Sequence, residues 1–192
     1  MTSTMYERFG KRALDLALSA VCLTLLSPLL LIVAGAILLM DGAPTLFRQV
    51  RDGRDGATFV IFKFRTYPVG TPELSSADAA ALKPTRLGAF LRRTNLDELP
   101  QLFNILIGDM SFVGPRPGLP SQHLQARIRR ENGADRIRPG LTGLAQIRGV
   151  TGMTEAEKAE NDGEYARKIT FLGDLWIMAR TAIFILKRPP VY

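Results

Sequence analysis

The longest hydrophobic stretch of the chain runs from residue 16 to residue 40 with almost no polar interruption. It holds about 25 residues, and about 20 are enough for a helix to cross a bilayer, so the pattern predicts a membrane helix. Ser27 and Pro28 lie at its middle, where the proline removes one backbone hydrogen bond and predicts a bend. A helix bent at this depth returns to the side from which it entered.

Basic residues stand on both sides of this stretch, at Arg8, Lys11, Arg12, Arg48, Arg51 and Arg54. Positive residues mark the cytoplasmic side of a membrane, so this distribution favours a re-entrant helix with both ends on that face. Asp41 directly after the stretch, and the many kinked helices that do cross, favour a single crossing instead. On these grounds alone the two arrangements are equally favoured.

A β-type pattern follows the membrane helix. Residues 45–50 and 58–64 flank Asp-Gly turn pairs, which predicts a β-hairpin. Lys63 and Arg65 project to one face at the two-residue period of a strand. Two basic residues on a strand face are usually solvated, but beside an anion site they become candidate phosphate ligands.

The later segments carry helical patterns. Residues 86–93 set arginines opposite leucine and phenylalanine, as in a helix at a membrane surface or against a core. Residues 99–107 place five apolar residues at helical spacing and predict a core face at Leu99, Leu102, Phe103, Leu106 and Ile107. Residues 154–187 begin as a charged helix and become apolar from residue 171 to residue 186. This predicts an amphipathic helix on the membrane or on the core, with Trp176 at the interface.

The expected fold class is therefore α+β. Residues 1–42 form the membrane-anchoring segment, with its Ser-Pro-kinked helix. Residues 43–192 form one domain, in which a small β-hairpin accompanies several amphipathic helices lying at the membrane surface. A chain of 192 residues without repeats or a low-complexity linker suits one ordinary core.

Asp97 and Glu98 directly precede the helical pattern of residues 99–107. Asn95 and Glu98 have the spacing of a capping box, and Pro100 is tolerated only in a first turn, so the pair is predicted at a helix N-terminus. That position favours an ionised carboxylate and also attracts phosphate. Neighbouring helical residues diverge by about 100°, so two different roles are expected rather than one shared proton. Seen alone, such a pair is most often a helix cap.

Two loops combine arginine with proline and glycine. Pro115 and Pro117 fix the backbone around Arg116, which reduces the freedom lost when its guanidinium binds phosphate. Arg138 precedes a glycine-bearing loop that ends at Gln146 and is a second candidate phosphate cradle. Without further context, either loop is as readily a solvated turn.

The formal net charge of +7 suits anionic lipid, nucleotide phosphates or nucleic acid, and the hydrophobic stretch favours lipid. Nucleic acid is not expected, because the basic residues are not interleaved with stacking aromatics. The chain has one cysteine, Cys22, and one histidine, His123, so a His/Cys metal cluster is excluded. The expected metal is a hard cation such as Mg²⁺ on oxygen ligands, with Asp97 a candidate ligand.

Taken in order, these motifs resemble the bacterial sugar transferase family, the monotopic polyprenol-phosphate phosphoglycosyltransferases. The resemblance covers nearly the whole chain and matches the family's minimal catalytic core. It rests on Lys11-Arg12-x-x-Asp15, the Ser27-Pro28 helix, Lys63-Phe64-Arg65, Leu96-Asp97-Glu98-Leu99-Pro100-Gln101, Gly108-Asp109-Met110-Ser111, Gly114-Pro115-Arg116-Pro117 and Arg138-Pro139-Gly140-Leu141-Thr142-Gly143.

The resemblance implies transfer of a phosphosugar from a UDP-sugar to undecaprenyl phosphate, with release of UMP. It implies a re-entrant helix in the bacterial inner membrane, membrane lipid around it, and a catalytic domain on the cytoplasmic face; it allows a homodimer. Asp97 would be the nucleophile that forms an aspartyl phosphosugar, Glu98 would assist it, and Mg²⁺ would be the cofactor. Substrate contacts would fall on Lys63, Arg65, Arg116, Arg138, Gln146, Asp162 and Tyr165.

The chain departs from the family pattern at two places. Tyr67 stands where the family often has methionine after Lys-Phe-Arg-Thr. After Ala145-Gln146 the family often has Asn-Gly-Arg, whereas this chain has Arg148-Gly149-Val150. Arg148, two positions before the family's arginine, is kept as a candidate substrate contact.

Two other classes of function stay open. The chain is alternatively a basic membrane-anchored scaffold in which Asp97 and Glu98 only cap a helix. It is alternatively another metal-dependent phosphotransferase or hydrolase of lipid phosphates, distinguished by water as the final acceptor. The identity of the sugar follows from no motif.

Overall fold

The structure is a computed structural model that describes residues 5–71, 82–149 and 152–187. Its helices and strands are, in chain order, α1 (Lys11–Met40), β1 (Leu46–Asp52), β2 (Thr58–Phe64), α2 (Arg86–Thr94), α3 (Gln101–Ile107), β3 (Ser111–Val113), α4 (His123–Asn132), β4 (Gly140–Thr142), α5 (Leu144–Arg148), α6 (Glu155–Arg167) and α7 (Phe171–Lys187). A π-helical turn at Tyr6–Gly10 precedes α1, and a 3₁₀ turn at Leu96–Glu98 precedes α3. This mixture of helices and small sheets confirms the α+β expectation.

Helix α1 continues through Pro28. Because proline has no N–H, the carbonyl of Thr24, four residues earlier, loses its usual partner. The hydroxyl of Ser27 donates to that carbonyl at 2.8 Å and replaces the missing bond. The bend predicted at Ser27-Pro28 is therefore not confirmed. Within the described chain, Tyr6–Met40 is the one helical stretch long and apolar enough to cross a membrane.

One face of α1 packs against the rest of the protein along its whole length. The buried positions follow helical spacing on both sides of Pro28, at Lys11, Asp15, Ser19, Val33 and Ile37. The opposite face carries large apolar side chains that are 53–88% exposed, among them Val21, Leu25, Leu31, Ile32 and Leu39. The helix thus joins the domain core on one side and presents hydrocarbon on the other.

Two small sheets organise the domain. Strands β1 and β2 pair antiparallel, with Leu46 opposite Phe64 and Asp52 opposite Thr58, which confirms the predicted hairpin. Strands β3 and β4 pair in parallel over three residues each, and the sequence did not predict this pair. This pairing places the loop that follows β3 beside the loop that precedes β4.

Helix α3 closes the free edge of the hairpin through Asn104. This fully buried amide donates to the carbonyl of Val60 at 2.7 Å and accepts from the amide of Phe62 at 3.0 Å, in place of a third strand. The core face of α3 holds Leu102 and Ile105.

The predicted core face of α3 is partly wrong. Phe103 is 48% exposed and Ile107 is 63% exposed. The face of the helix that packs against β2 and α1 is instead formed by Gln101, Leu102, Asn104 and Ile105. Phe103 and Ile107 project from the opposite side of the helix because they lie about 180° from the centre of that buried stripe.

Asn104→Leu keeps the volume of the side chain but leaves the Val60 carbonyl and the Phe62 amide without partners. We expect the free energy of unfolding to fall by about 2 kcal/mol or more, since each unsatisfied buried group costs about 1–3 kcal/mol. Denaturant unfolding in detergent measures this. Asn161→Leu in α6 is the matched control, because the hydrogen bonds of Asn161 with Arg148 and with the Glu157 carbonyl are exposed and water replaces them. It should change the free energy of unfolding by about 0.5 kcal/mol or less. Equal effects of the two variants would contradict the edge-pairing role.

Candidate active site

Asp97 and Glu98 lie in the 3₁₀ turn between α2 and α3. Asn95, which ends α2, has a left-handed backbone conformation with φ of 56°, and this reverses the chain direction just before the turn. The predicted capping box is wrong, because the Asn95 side chain makes no capping hydrogen bond and Pro100 precedes α3. Glu98 is instead directed towards two cations.

The carboxylate of Glu98 binds one side chain from the hairpin and one from the proline-bounded loop. Its Oε1 accepts from Lys63 Nζ at 2.6 Å and from Arg116 Nη2 at 3.2 Å. Burial alone would raise the pKa of Glu98, but the charges and hydrogen bonds of Lys63 and Arg116 together lower it to about 2. Glu98 is therefore an anion at any physiological pH.

Asp97 has the opposite electrostatic character. The residue is only 7% exposed, and this burial raises the pKa of Asp97 to about 6. The negative charge of Glu98 raises the pKa further, whereas the charges of Lys63 and Arg92 lower it. The two adjacent carboxylates thus differ strongly in proton affinity, which agrees with the expectation of two roles. Asp97 is the more basic of the two and is still largely ionised at pH 7.

Close backbone packing positions the Arg116 loop. A Cβ atom added to Gly140 would lie 2.1 Å from the Gly114 nitrogen, and one added to Gly143 would lie 2.1 Å from the Gly114 oxygen. These three positions therefore require glycine, and they press the loop after β3 against the loop around β4. Arg116 follows Gly114 by two residues, so this contact fixes the backbone path that leads to it.

Asp162 acts on the same loop through an intermediate residue. Arg129 Nη2 donates to the backbone carbonyl of Arg116 at 2.9 Å, and the same guanidinium binds Asp162 Oδ2 at 2.6 Å. Burial raises the pKa of Asp162, and the charge of Arg129 opposes that shift. The structure thus places Asp162 behind the site, where it holds Arg129, and not in contact with Asp97 or Glu98.

Arg65 does not join Lys63 at Glu98. Its Nη2 donates to the carbonyls of Asp41 and Gly42, each at 2.7 Å, and its Nη1 donates to the carbonyl of Ala43 at 3.3 Å. These carbonyls lie at the end of α1. The predicted phosphate contact of Arg65 stays a prediction that the described contacts do not favour.

The remaining predicted site residues have other partners in the described chain. Arg138 donates to the carbonyl of Gly108 at 2.8 Å, and its burial, with Arg54 and Arg12 nearby, lowers its pKa. Gln146 donates to the carbonyl of Leu141 at 3.2 Å. The structure brings neither side chain into contact with Asp97 or Glu98.

Arg148 and Tyr165 are committed elsewhere. Arg148 lies on the surface, where it bonds Glu164 and Asn161 of α6. The Tyr165 hydroxyl donates to Asp174 at 2.7 Å, and burial raises the pKa of this tyrosine. Their predicted roles as substrate contacts therefore remain predictions without support from these positions.

Sequence reasoning missed two features of the site. Gln101 lies one helical turn after Asp97 and is 3% exposed, and its Nε2 has no hydrogen-bond partner among the described residues. Arg129, near the end of the polar helix α4, is also buried and is the second of these features. The four-residue spacing from Asp97 was a signal that could have identified Gln101. No local signal identified Arg129.

Comparison with known proteins finds one matching family model and several named relatives. Residues 6–188 match the family model described as bacterial sugar transferase. The chain is 41% identical over 191 residues to a UDP-glucose:undecaprenyl-phosphate glucose-1-phosphate transferase of Caulobacter vibrioides, covering 95% of the chain and 72% of the relative. It is 40% identical over 184 residues to the protein of the same name from Escherichia coli, covering 91% of the chain and 40% of the relative.

A relative of similar length has a less specific name. The exopolysaccharide production protein PSS of Rhizobium leguminosarum is 37% identical over 194 residues, covering 93% of the chain and 96% of the relative. The chain thus spans less than half of the Escherichia coli protein but nearly all of the Rhizobium one.

The two carboxylates should affect stability in opposite directions. Burial raises the pKa of Asp97 in the folded protein from the usual 3.8 to about 6, so ionised Asp97 destabilises the fold at pH 7.5. This penalty disappears below about pH 4. Asp97→Asn should therefore increase the free energy of unfolding of the metal-free protein at pH 7.5 by up to about 3 kcal/mol, and with it the melting temperature. The variant should lose this advantage at pH 4.

Glu98→Gln is the matched comparison, because it leaves Lys63 and Arg116 without their counter-ion. It should lower the melting temperature at pH 7.5. Thermal unfolding with a chelator present measures both variants. Destabilisation by both at pH 7.5 would contradict the assignment of a penalised charge to Asp97.

Proposed function

Because the chain belongs to the bacterial sugar transferase family, we propose that it transfers a phosphosugar from a UDP-sugar to undecaprenyl phosphate and releases UMP. The observation that carries this proposal is the pair of adjacent buried carboxylates, one neutralised by Lys63 and Arg116 and one kept basic by burial. The names of the Caulobacter and Escherichia coli relatives support UDP-glucose as the first donor to test.

The proposed reaction has two steps at Asp97. A carboxylate oxygen of Asp97 attacks the β-phosphorus of the UDP-sugar, the bond from that phosphorus to the bridging oxygen breaks, and UMP leaves with the bonding electrons. The product is an acyl phosphate, which is reactive enough to pass its group onward. An oxygen of the lipid phosphate then attacks the same phosphorus and displaces Asp97, which restores the free carboxylate.

Glu98 organises the charges around this reaction. A carboxylate with a pKa near 2 is a weak base, so we assign to it the placement of Lys63 and Arg116 and not the removal of a proton. The side chain of Arg116 is 39% exposed, which leaves part of the guanidinium accessible to a diphosphate. Positive groups held at such a position stabilise charge on the transferring oxygens.

The residues present fit a magnesium ion that is held by one carboxylate together with the phosphates of the substrate. Among the described residues no group of three His, Cys, Asp or Glu side chains is placed to hold a metal. Mg²⁺ is commonly held by one or two carboxylates together with substrate phosphates, and Asp97 supplies such a carboxylate. When bound, the ion would reduce the repulsion between Asp97 and the diphosphate.

We further propose that α1 lies in the inner membrane with both of its ends on the cytoplasmic side. A 30-residue helix is about 45 Å long, more than the bilayer core requires. Lys11 at one end binds Asp174 at 2.7 Å, and Asp41 just beyond the other end accepts from Thr85 at 2.8 Å. Because both ends of α1 are held by the same domain, a helix that enters the membrane and stays on one side of it is favoured over a helix that crosses the bilayer.

The first test is intact-mass spectrometry of the protein in nanodiscs with Mg²⁺ and a panel of UDP-sugars that starts with UDP-glucose. We expect a phosphosugar adduct on the wild type and release of UMP, because Asp97 is the basic carboxylate of the pair. Asp97→Asn should show neither, with a loss of at least about 100-fold in turnover.

Asp109→Asn, a carboxylate from the loop after α3, is the matched control and should form the adduct. Adduct formation by Asp97→Asn would overturn the nucleophile assignment. Release of free sugar phosphate into water in place of lipid transfer would favour the hydrolase alternative, and no UMP from any donor would favour the scaffold.

The membrane placement is tested separately with single cysteines in a Cys22→Ser background. Glu7→Cys, before α1, and Arg54→Cys, at the hairpin tip, should both resist a membrane-impermeant maleimide in intact spheroplasts and react after permeabilisation. Reaction of Glu7→Cys alone in intact spheroplasts would show a single crossing.

A further inference from the structure

We infer that Arg65 is a positioning residue that joins the end of α1 to β2, which carries Lys63, and to α2, which precedes the Asp97–Glu98 pair. We infer further that transfer to the lipid acceptor depends on this joint more than release of UMP does. The inference rests on the proposed function, because it concerns the second step of that reaction. It replaces the phosphate contact expected for Arg65 from the sequence.

The guanidinium of Arg65 is occupied by the main chain at the end of α1. The residue is 7% exposed, and its two terminal nitrogens contact three successive carbonyls, those of Asp41, Gly42 and Ala43. These carbonyls belong to the C-cap residue of α1 and the two residues after it. The C-terminus of a helix carries partial negative charge, so a buried cation is stabilised beside it. Its Nε is also buried, without a partner among the described residues, so no exposed donor is offered to a substrate.

The same point of the fold holds the start of α2. The Thr85 hydroxyl donates to the Asp41 carboxylate at 2.8 Å and accepts from the Gly88 amide at 2.9 Å, which caps the helix. The Thr85 amide donates to the Thr66 carbonyl at 3.0 Å. A Cβ atom on Gly88 would lie 2.0 Å from that carbonyl, so α2 begins in direct contact with the chain leaving β2.

These contacts define what we call the exit joint, formed by Asp41, Gly42, Ala43, Arg65, Thr66, Thr85 and Gly88. It fastens three chain segments to one another at the residue where the apolar part of α1 ends. Of its hydrogen-bonded side chains, Arg65 and Thr85 supply the donors and Asp41 supplies the accepting carboxylate.

Two short routes lead from the exit joint to the site. Lys63, which binds Glu98, lies on β2, and Arg65 directly follows the end of that strand, two residues later. Helix α2 runs from the joint to Asn95, two residues before Asp97. Any displacement of the end of α1 relative to these elements therefore moves the carboxylate pair relative to the membrane helix.

The surface beside the joint is apolar. The last residues of α1 are exposed, Leu39 to 88% and Met40 to 64%, and Phe90 on α2 is 47% exposed. A lipid-linked phosphate reaches the site from this hydrocarbon-facing side, whereas a UDP-sugar arrives from water. The exit joint consequently sets the position of Asp97 relative to the membrane surface, where the lipid phosphate lies. It has less effect on the first step, the release of UMP.

The test separates the two steps in nanodiscs. The burst of UMP is measured with UDP-glucose, or the donor that the adduct experiment identifies, in the absence of lipid acceptor. The rate of transfer is then measured after undecaprenyl phosphate is added. Arg65→Gln and Thr85→Val should keep the burst amplitude within about twofold of wild type and lose at least about tenfold in transfer rate.

Two conservative controls accompany these variants. Thr85→Ser keeps the hydroxyl, and Arg48→Gln removes an exposed arginine from the same hairpin; both should stay within about twofold of wild type in both steps. Combining Arg65→Gln with Thr85→Val should cost little more than either change alone, because both open the same joint. Thermal unfolding of every variant checks that it is folded.

Three results would overturn the inference. Loss of the burst and a raised KM for the UDP-sugar in Arg65→Gln, with Thr85→Val unchanged, would show that Arg65 is a phosphate ligand after all. Equal losses in both steps would show a general folding role. Full transfer by Thr85→Val would show that the joint does not control that step. Absence of UMP release from the wild type would instead reject the proposed function itself.

Discussion

The ion pairs of Glu98 with Lys63 and Arg116 connect the hairpin, the 3₁₀ turn and the proline-bounded loop at one point. Each of these charges would be costly to bury alone, so the three segments are stable in this arrangement because they meet there together. Asp97 receives only part of that compensation and keeps a raised pKa. A single electrostatic arrangement therefore holds Glu98 as an anion between two cations and leaves Asp97 more basic, and the proposed reaction uses this difference.

Helix α1 is part of the domain as much as it is a membrane element. Lys11 and Asp15 hold its first turns to α7 and β3, with Asp15 accepting from the Phe112 amide at 3.0 Å. Arg65 binds the carbonyls of the three residues that directly follow the helix. Between these ends its buried face contributes to the same hydrophobic core as the hairpin and α3. Membrane placement and active-site geometry are thereby coupled through contacts inside one domain.

Patterns of neighbouring residues predicted the helices and strands that are specified by residues close together in the chain. The Asp-Gly turns identified the hairpin, and the spacing of apolar residues identified α2 and the two C-terminal helices. The same reasoning failed for Phe103 and Ile107, because helical spacing shows that residues share a face but does not show which face is buried. It also did not predict the main-chain contacts of Arg65, since the carbonyls concerned lie 22 to 24 residues away in the chain.

By itself, the sequence determined the apolar helix, the position of the carboxylate pair at the start of a helical segment and the order of motifs that identifies the family. Only the tertiary structure decided which cations meet Glu98, since Lys63 and Arg116 lie 35 and 18 residues from it. It also decided that Arg65 and Asp162 support the site from behind. The physical reason is that burial and charge pairing depend on distances created by chain packing, and no spacing along the chain specifies those distances.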